Sequence, residues 1–261
     1  MRRYHYKMAG TLKGKVVLIT GAGYGLGRAT ALAFAKEGVK VAVIDIAVER
    51  GQETVQMVKK AGGDAIFIKA DITKEAEVAA MIKKITDTYG KLDFAHNNAG
   101  VGETPTPIHE MTEEHWQKVM DVNTKGVWLC MKHELKYFVA HGGGIIVNTA
   151  SAAGLQGAPM NSTYATSKFA VVGLTKSAAL EYAKANIRIN CICPAGMRNT
   201  NLHDELMASN PAMAKELTKM IPMGRDSDPS EEAQAVVWLC SDASSFITGV
   251  ALPIDGGVLA G

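Results

Sequence analysis

The sequence predicts an α/β protein with a doubly wound parallel sheet of about seven strands and helices on both faces. Short β-branched runs alternate with segments of helical spacing along the whole chain. Most of these runs are apolar throughout, which is typical of strands buried on both faces of a parallel sheet. The chain has 261 residues, 47% of them hydrophobic, and no internal repeat or Pro/Gly/Ser-rich linker. We therefore predict a single domain over residues 11–261.

Six runs are predicted as strands, and a late seventh run could add one more. In chain order they are KVVLIT (15–20), VKVAVI (39–44), DAIFIK (64–69), KLDFAH (91–96), GIIVNT (144–149), IRINCI (187–192) and VALPID (250–255). Between the third and fourth runs, one helical stripe contains Val78, Met81, Ile82, Ile85 and Tyr89. The βαβα order implies right-handed crossovers, so ligands are expected at the carboxyl ends of the strands.

Composition favours a small-molecule partner. The 28 basic and 26 acidic residues nearly balance and form no block of like charge, which argues against a nucleic-acid or anionic-membrane surface. The four cysteines are too few and too scattered for a disulfide framework, and the histidines lack metal-ligand spacing. No apolar run reaches the roughly 18 residues of a membrane span. We predict a cytoplasmic protein without a metal, whose residues 1–10 are a flexible N-terminal extension.

A glycine-rich stretch, TGAGYGLG at 20–27, follows the first predicted strand and begins the first helix. Free backbone N–H groups and the positive end of a helix favour an anion, and the missing Cβ atoms let a pyrophosphate approach. A glycine-rich tight turn is the alternative interpretation. The stretch lacks the Gly-Lys-Ser/Thr ending of a P-loop and the third glycine of G-x-G-x-x-G. It fits T-G-x-x-x-G-x-G, through Gly21, Gly25 and Gly27.

Asp45 ends the second predicted strand, 24 residues after Gly21. An acidic side chain at this position can accept hydrogen bonds from both hydroxyls of an adenosine ribose. A 2′-phosphate would meet a carboxylate there, and the next residue is Ile46 rather than a basic residue. This pattern favours NAD over NADP. The alternative is that Asp45 only caps the helix that begins near Ala47.

A third group of polar residues lies further along the chain. The segment YATSK puts Tyr164 and Lys168 at positions i and i+4, on one face of a predicted helix. Ser151 follows the fifth strand at its carboxyl end. Taken singly, such residues are more often a solvated helix face or a turn than a catalytic group. Their joint position favours a catalytic interpretation.

Together these residues resemble the short-chain dehydrogenase/reductase family, over about residues 12–261. The motifs that carry the resemblance are TGAGYGLG, ADIT around Asp71, NNAG at 97–100, DVN ending at Asn123, Ser151 placed 13 residues before Tyr164, YATSK, and FITGVALPIDGG. The resemblance implies a Rossmann-type fold and reversible hydride transfer between NAD(H) and a secondary alcohol or ketone. It also implies a catalytic tetrad of Asn123, Ser151, Tyr164 and Lys168.

The resemblance also implies which residues bind the cofactor. They are Gly21, Tyr24, Gly25, Leu26, Gly27, Asp45, Ile46, Asp71, Ile72, Asn98, Ala99, Gly100, Tyr164, Lys168, Pro194, Ala195, Gly196 and Thr200, with Ile192 beside the nicotinamide. One motif departs from the family. In CPAGMRNT, Ala195 stands where the family has glycine, so Gly196 is one position late and Thr200 is displaced.

The implied chemistry requires these residue types. A phenol with an ordinary pKa of about 10 is a poor base near neutral pH, so the pKa of Tyr164 must fall. The Lys168 ammonium is expected to lower it. Ser151 is expected to hold the substrate oxygen, and the family uses Asn123 to hold a water that passes the proton outward. Lys168 would also bind the nicotinamide ribose.

Residues 195–224 are predicted as the substrate-binding loop or lid. This segment contains Met197, Met207, Met213, Met220 and Met223. Because methionine adapts to irregular apolar shapes, we expect an apolar alcohol or ketone substrate, although ordinary buried helix faces would look the same.

Two other functions stay open from the sequence: a 3-oxoacyl-thioester reductase acting on an acyl carrier protein or coenzyme A ester, and a non-catalytic cofactor-binding subunit. The resemblance further implies a homotetramer that associates through predicted long helices at 112–140 and 162–185.

Overall fold

The structure, a computed structural model, describes residues 12–261. Within that range it describes all side chains except those of residues 202, 206, 209 and 213. The predicted N-terminal extension at 1–10 lies outside the described residues.

Seven strands form one fully parallel sheet in the order β3-β2-β1-β4-β5-β6-β7. Their bounds are β1 Val16–Thr20, β2 Lys40–Asp45, β3 Ala65–Lys69, β4 Phe94–Asn97, β5 Gly144–Thr149, β6 Ile187–Pro194 and β7 Ala251–Ile254. Each predicted run overlaps one of these strands, so the predicted fold class is confirmed. The strand order reverses between β1 and β4, where the carboxyl ends of the strands leave a crevice for a ligand.

Helices cover both faces of this sheet. They are α1 Gly25–Lys36, α2 Val48–Lys60, α3 Glu75–Tyr89, α4 Glu113–Met120, α5 Val127–Ala140, α6 Ser162–Tyr182, α7 Asn201–Ser209, α8 Pro211–Lys219 and α9 Pro229–Leu239. One core lies between the sheet and α3, α5 and α6, and the other lies between the sheet and α1, α2 and α9. None of the helices in the described part of the chain is long and apolar enough to cross a membrane.

The helical stripe predicted for α3 is confirmed. Val78, Met81, Ile82 and Ile85 are buried in the first core, and Tyr89 packs against that core at the end of the helix. Burial of this one face fixes α3 on the sheet.

The long helix predicted over 112–140 is present from Glu113 to Ala140, but its hydrogen-bond pattern changes in the middle. A six-residue π-helical turn, Asp121–Gly126, separates α4 from α5 and contains Asn123. Ile72 packs against Gly126, where a Cβ atom would lie 2.7 Å from Ile72 Cδ1. Wide π turns occur often at functional sites, and this one faces the loop that follows β4.

Candidate active site

The glycine loop between β1 and α1 has a backbone that needs glycine. Gly21 and Gly25 have positive φ angles of 62° and 54°, which other residues rarely adopt. Thr20 Oγ1 accepts hydrogen bonds from the backbone N–H groups of Asn98 (2.9 Å) and Ala99 (3.0 Å). The glycine loop and the loop after β4 are therefore joined directly at the crevice.

Asp45 joins the glycine loop to the turn before α2. Its Oδ2 accepts a hydrogen bond from the Gly23 N–H, and its Oδ1 accepts one from the Ala47 N–H, both at 2.8 Å. The carboxylate therefore stands at the end of β2, as predicted. It fixes the turn before α2, but α2 has Ala47 as its N-cap residue and no side-chain cap, so the alternative capping role is not observed. Each carboxylate oxygen keeps a further lone pair, so ribose hydroxyls can also bind there.

Tyr24 connects the glycine loop with α7, which lies within the predicted lid. Its hydroxyl donates a hydrogen bond of 2.9 Å to Asp204 Oδ2, and this contact raises the pKa of Tyr24. The guanidinium of Arg50 lies 5.3 Å from the centre of the Tyr24 ring and donates to Asn201 Oδ1 at 2.8 Å. The sequence named Tyr24 but gave no signal for Asp204 or Arg50, because their contacts join distant parts of the chain.

The unusual turn after β6 uses Gly196 as its close-packed glycine. A Cβ atom at Gly196 would collide with the carboxylate of Asp226, a constraint that Ala195 does not share. Despite its displacement in the motif, Thr200 lies beside the glycine loop, where its Cγ2 would be 3.2 Å from a Cβ atom on Gly25. The turn therefore brings Thr200 to the crevice.

The remaining predicted cofactor residues lie in and around the same edge of the sheet. Asp71 follows β3, and its Oδ1 accepts hydrogen bonds from the Thr73 N–H and hydroxyl. Burial opposes ionisation of Asp71, but the hydrogen bonds from Thr73 outweigh it and lower the pKa. The side chains of Ile72 and Ile192 are buried, whereas Ile46 is exposed. Of these three isoleucines, therefore, only Ile46 could contact a ligand through its side chain without a rearrangement of the core.

Tyr164 and Lys168 lie one turn apart on α6. Lys168 Nζ is 5.5 Å from the centre of the Tyr164 ring and donates a hydrogen bond of 3.0 Å to the backbone oxygen of Thr149, at the end of β5. Lys168 is buried, and burial lowers its pKa to about 8. The side chain of Lys168 is therefore held at the carboxyl end of β5, close to the ring of Tyr164.

The protein groups that act on Tyr164 together raise its pKa. The expectation that Lys168, together with a positive nicotinamide ring, lowers this pKa stays a prediction. Burial is the largest cause, because a phenolate loses water contacts there. The hydrogen bond with Ser151 lowers the pKa, and the negative charge of Glu103 raises it. The protein's own groups thus leave the phenol protonated near neutral pH.

Asn123 holds the loop that follows β4. Its Oδ1 accepts a hydrogen bond from the Val101 N–H (2.8 Å), and its Nδ2 donates to the Val101 oxygen (2.9 Å) and to Ser167 Oγ (3.1 Å). These hydrogen bonds of the Asn123 amide are thus all made with other groups of the protein. They tie the π-helical turn, the loop and α6 together around Tyr164.

A buried carboxylate, Glu103, lies close to a partly exposed histidine, His115, beside this site, and neither residue was expected from the sequence. The Glu103 side chain is fully covered, and neither carboxylate oxygen has a hydrogen-bond partner among the described residues. Its Oε2 lies 4.0 Å from His115 Nε2, which is buried and also lacks such a partner. The only sequence signal was the location of Glu103 in the loop after β4. No group of three or more metal-ligating side chains was found among residues 12–261.

Comparisons with known proteins extend over nearly the whole chain. A family model described as enoyl-(acyl carrier protein) reductase matches residues 21–259. A 2,5-dichloro-2,5-cyclohexadiene-1,4-diol dehydrogenase of Sphingobium indicum is 42% identical over 95% of this chain and 98% of that protein. A cyclohexanol dehydrogenase of Acinetobacter sp. is 42% identical over 95% of this chain and 96% of that protein. A crystal structure of NAD+-bound xylitol dehydrogenase has a TM-score of 0.91 and 34% identity, covering 95% of this chain and 100% of that one.

Proposed function

This chain belongs to the short-chain dehydrogenase/reductase family of oxidoreductases, and from that premise we propose that it is an NAD-dependent secondary alcohol dehydrogenase that also runs in reverse. One observation carries the proposal: Tyr164, Ser151 and Lys168 meet at the carboxyl edge of the sheet. A phenol, a hydroxyl that can orient a substrate oxygen and a buried amine are the groups that proton transfer from an alcohol requires.

The glycine loop fits a dinucleotide. The positive φ angles of Gly21 and Gly25 and the start of α1 provide a backbone cradle for a pyrophosphate. Asp45 is suited to the ribose hydroxyls and repels a 2′-phosphate, which supports NAD over NADP. The xylitol dehydrogenase relative contains NAD+. When bound, NAD+ supplies the acceptor for the hydride.

In the proposed mechanism, Ser151 holds the substrate hydroxyl and Tyr164 takes its proton. Because burial raises the pKa of Tyr164, a nearby positive charge is needed to favour the phenolate. Lys168, with a pKa of about 8, is largely protonated at neutral pH and lies close enough to supply part of that charge. In the reverse direction, Tyr164 returns the proton to the carbonyl oxygen of a ketone.

We also propose that Asn123 acts mainly as a positioning residue. Its amide fixes Val101 and Ser167 around Tyr164 at distances of 2.8–3.1 Å. The water-holding role implied by the family resemblance would then use other atoms of the π-helical turn. Small errors in this geometry would slow the reaction, because proton transfer requires close alignment.

Activity with NAD and a panel of secondary alcohols, followed by NADH absorbance, tests the function directly. Oxidation of cyclic alcohols with NAD preferred over NADP supports the proposal. Reduction of 3-oxoacyl thioesters with a strong NADPH preference would instead identify a biosynthetic reductase. NAD binding without turnover of any alcohol or ketone would identify a non-catalytic subunit.

The expected homotetramer is proposed on the basis of exposed apolar side chains. Trp128 and Val139 on α5 and Phe169 and Leu180 on α6 are all exposed in the single chain. Large exposed apolar side chains on neighbouring helices are typical of association surfaces. Light scattering should give four chains per particle, and Leu180→Glu should reduce that number if α6 is in the interface.

A further inference from the structure

Glu103 has an unusual environment for a carboxylate. Its side chain is fully covered, and neither oxygen has a hydrogen-bond partner in the described part of the chain. Burying a carboxylate without a hydrogen-bond partner is unfavourable, so an unpaired buried carboxylate calls for an explanation such as a bound molecule or water. The environment of Glu103 therefore points to a ligand with hydrogen-bond donors.

The segment that carries Glu103 belongs to the wall of the site. On one side, Val101 is held by two hydrogen bonds with Asn123. On the other side, the Thr106 N–H donates a hydrogen bond of 2.8 Å to the oxygen of Met160, four residues before Tyr164. The negative charge of Glu103 acts on Tyr164, whose pKa it raises. Glu103 thus lies in a segment that is held on one side by Asn123 and on the other by the residue that precedes α6 by two positions.

His115 defines the chemistry of that group. Its Nε2 lies 4.0 Å from Glu103 Oε2, which is too far for a direct hydrogen bond. One oxygen atom can lie at a hydrogen-bond distance of about 2.8 Å from both atoms. A hydroxyl can donate to the Glu103 carboxylate and accept from the imidazole N–H of His115, whereas an ammonium can only donate.

We propose that Glu103, together with His115, binds a second hydroxyl group of the substrate, so that the enzyme prefers diols to alcohols with one hydroxyl. This inference rests on the proposed function and narrows its substrate class. Because the carboxylate is covered, binding includes a shift of the segment between Val101 and Thr106, in which Thr104 is exposed.

The test compares cyclohexanol with cyclohexane-1,2-diol and cyclohexane-1,4-diol in the wild type and in Glu103→Gln. We expect the wild type to have a higher kcat/KM for at least one diol. In Glu103→Gln the ratio of kcat/KM for that diol to kcat/KM for cyclohexanol should fall roughly tenfold or more, mainly through KM, because the amide accepts a weaker hydrogen bond. Glu110→Gln, which changes an exposed glutamate nearby, should leave the ratio unchanged.

The pH dependence of kcat/KM provides a second readout, which would not change if Glu103 had only a structural role. Since the charge of Glu103 raises the pKa of Tyr164, Glu103→Gln should lower that pKa. The rise of kcat/KM for cyclohexanol oxidation with pH should then begin at lower pH. His115→Phe should weaken diol selectivity without this pH shift if the histidine serves only as the second binding group.

Several outcomes overturn the inference. An unchanged diol ratio in Glu103→Gln, or an equal loss with cyclohexanol and the diols, shows that Glu103 does not recognise a second hydroxyl. A preference for 2-aminocyclohexanol over the diols, lost in Glu103→Gln, indicates a cation site instead. If no alcohol is oxidised by the wild type, the proposed function fails. In that case the inference is tested by the rise of Tm with each diol, which should be larger in the wild type than in Glu103→Gln.

Discussion

The ammonium of Lys168 lies 5.5 Å from the centre of the Tyr164 ring and is hydrogen-bonded to the Thr149 oxygen at 3.0 Å. This relationship attaches the tyrosine and the lysine of one helix to the carboxyl end of β5. Two effects on the hydroxyl proton of Tyr164 oppose each other here. Burial favours the neutral phenol, whereas a nearby cation favours the phenolate. The balance between these effects decides the pH at which Tyr164 can act as a base.

Asp45→Asn should reduce the preference for NAD over NADP. The substitution removes the negative charge that would meet a 2′-phosphate but keeps an oxygen that can accept the hydrogen bond now made to the Gly23 N–H. We expect the ratio of kcat/KM with NAD to kcat/KM with NADP to fall about tenfold or more. This change corresponds to a free-energy difference of at least ~1.4 kcal/mol. Asp87→Asn, on the exposed face of α3, is the matched control. A ratio that stays at the wild-type value would show that Asp45 does not determine the preference for NAD over NADP.

Tyr24→Phe should weaken the contact between the glycine loop and α7. The change removes only the hydroxyl that donates to Asp204 and keeps the ring beside Arg50. Because the contact is exposed, we expect a loss of stability of no more than about 1 kcal/mol. The KM values for NAD and for the alcohol should rise several-fold as α7 is held less firmly. Tyr182→Phe, which removes the hydroxyl of a partly buried tyrosine at the end of α6, is the control. Unchanged KM values would show that α7 is positioned without this hydrogen bond.

Glu134→Gln should stabilise the protein at alkaline pH. Burial raises the pKa of Glu134 to about 8, although the hydrogen bond from Asn97 opposes this rise. Between pH about 4.5 and about 8, the folded protein keeps this proton and the unfolded chain loses it, so the free energy of unfolding falls as pH rises. The glutamine variant lacks this dependence.

Urea unfolding at pH 5 and pH 9 measures the effect. The stability difference between Glu134→Gln and the wild type should grow with pH by several kcal/mol at most. Glu181→Gln, at an exposed position, should show no such growth. A difference that is constant with pH would mean that Glu134 titrates normally in the folded protein.

The strands and most helices could be predicted because their signals are local. Runs such as KVVLIT and GIIVNT are apolar on both faces, and the stripe from Val78 to Ile85 has the period of a helix. The π-helical turn could not be predicted in this way. It depends on contacts with distant residues, namely Ile72 packed on Gly126 and the amide of Asn123 bonded to Val101.

In the candidate site too, features with a local signal could be predicted from the sequence, whereas contacts between distant residues could not. The motifs put Gly21, Asp45, Tyr164 and Lys168 at strand ends or on one helix face, where the structure has them. The hydrogen bond from Tyr24 to Asp204 joins residues 180 positions apart, and no local pattern indicates it. Glu103 is an ordinary loop glutamate in sequence. Its burial arises only when the loop after β4 is fixed against α6.

The most direct test of the account is Tyr164→Phe, measured for both NAD binding and alcohol oxidation. The change keeps the ring beside Lys168 and removes only the hydroxyl that takes the substrate proton. We expect NAD affinity within a few-fold of the wild type and a loss of kcat of about 100-fold or more, the scale of acid–base catalysis. A kcat for cyclohexanol close to the wild-type value, with NAD still bound, would contradict the account.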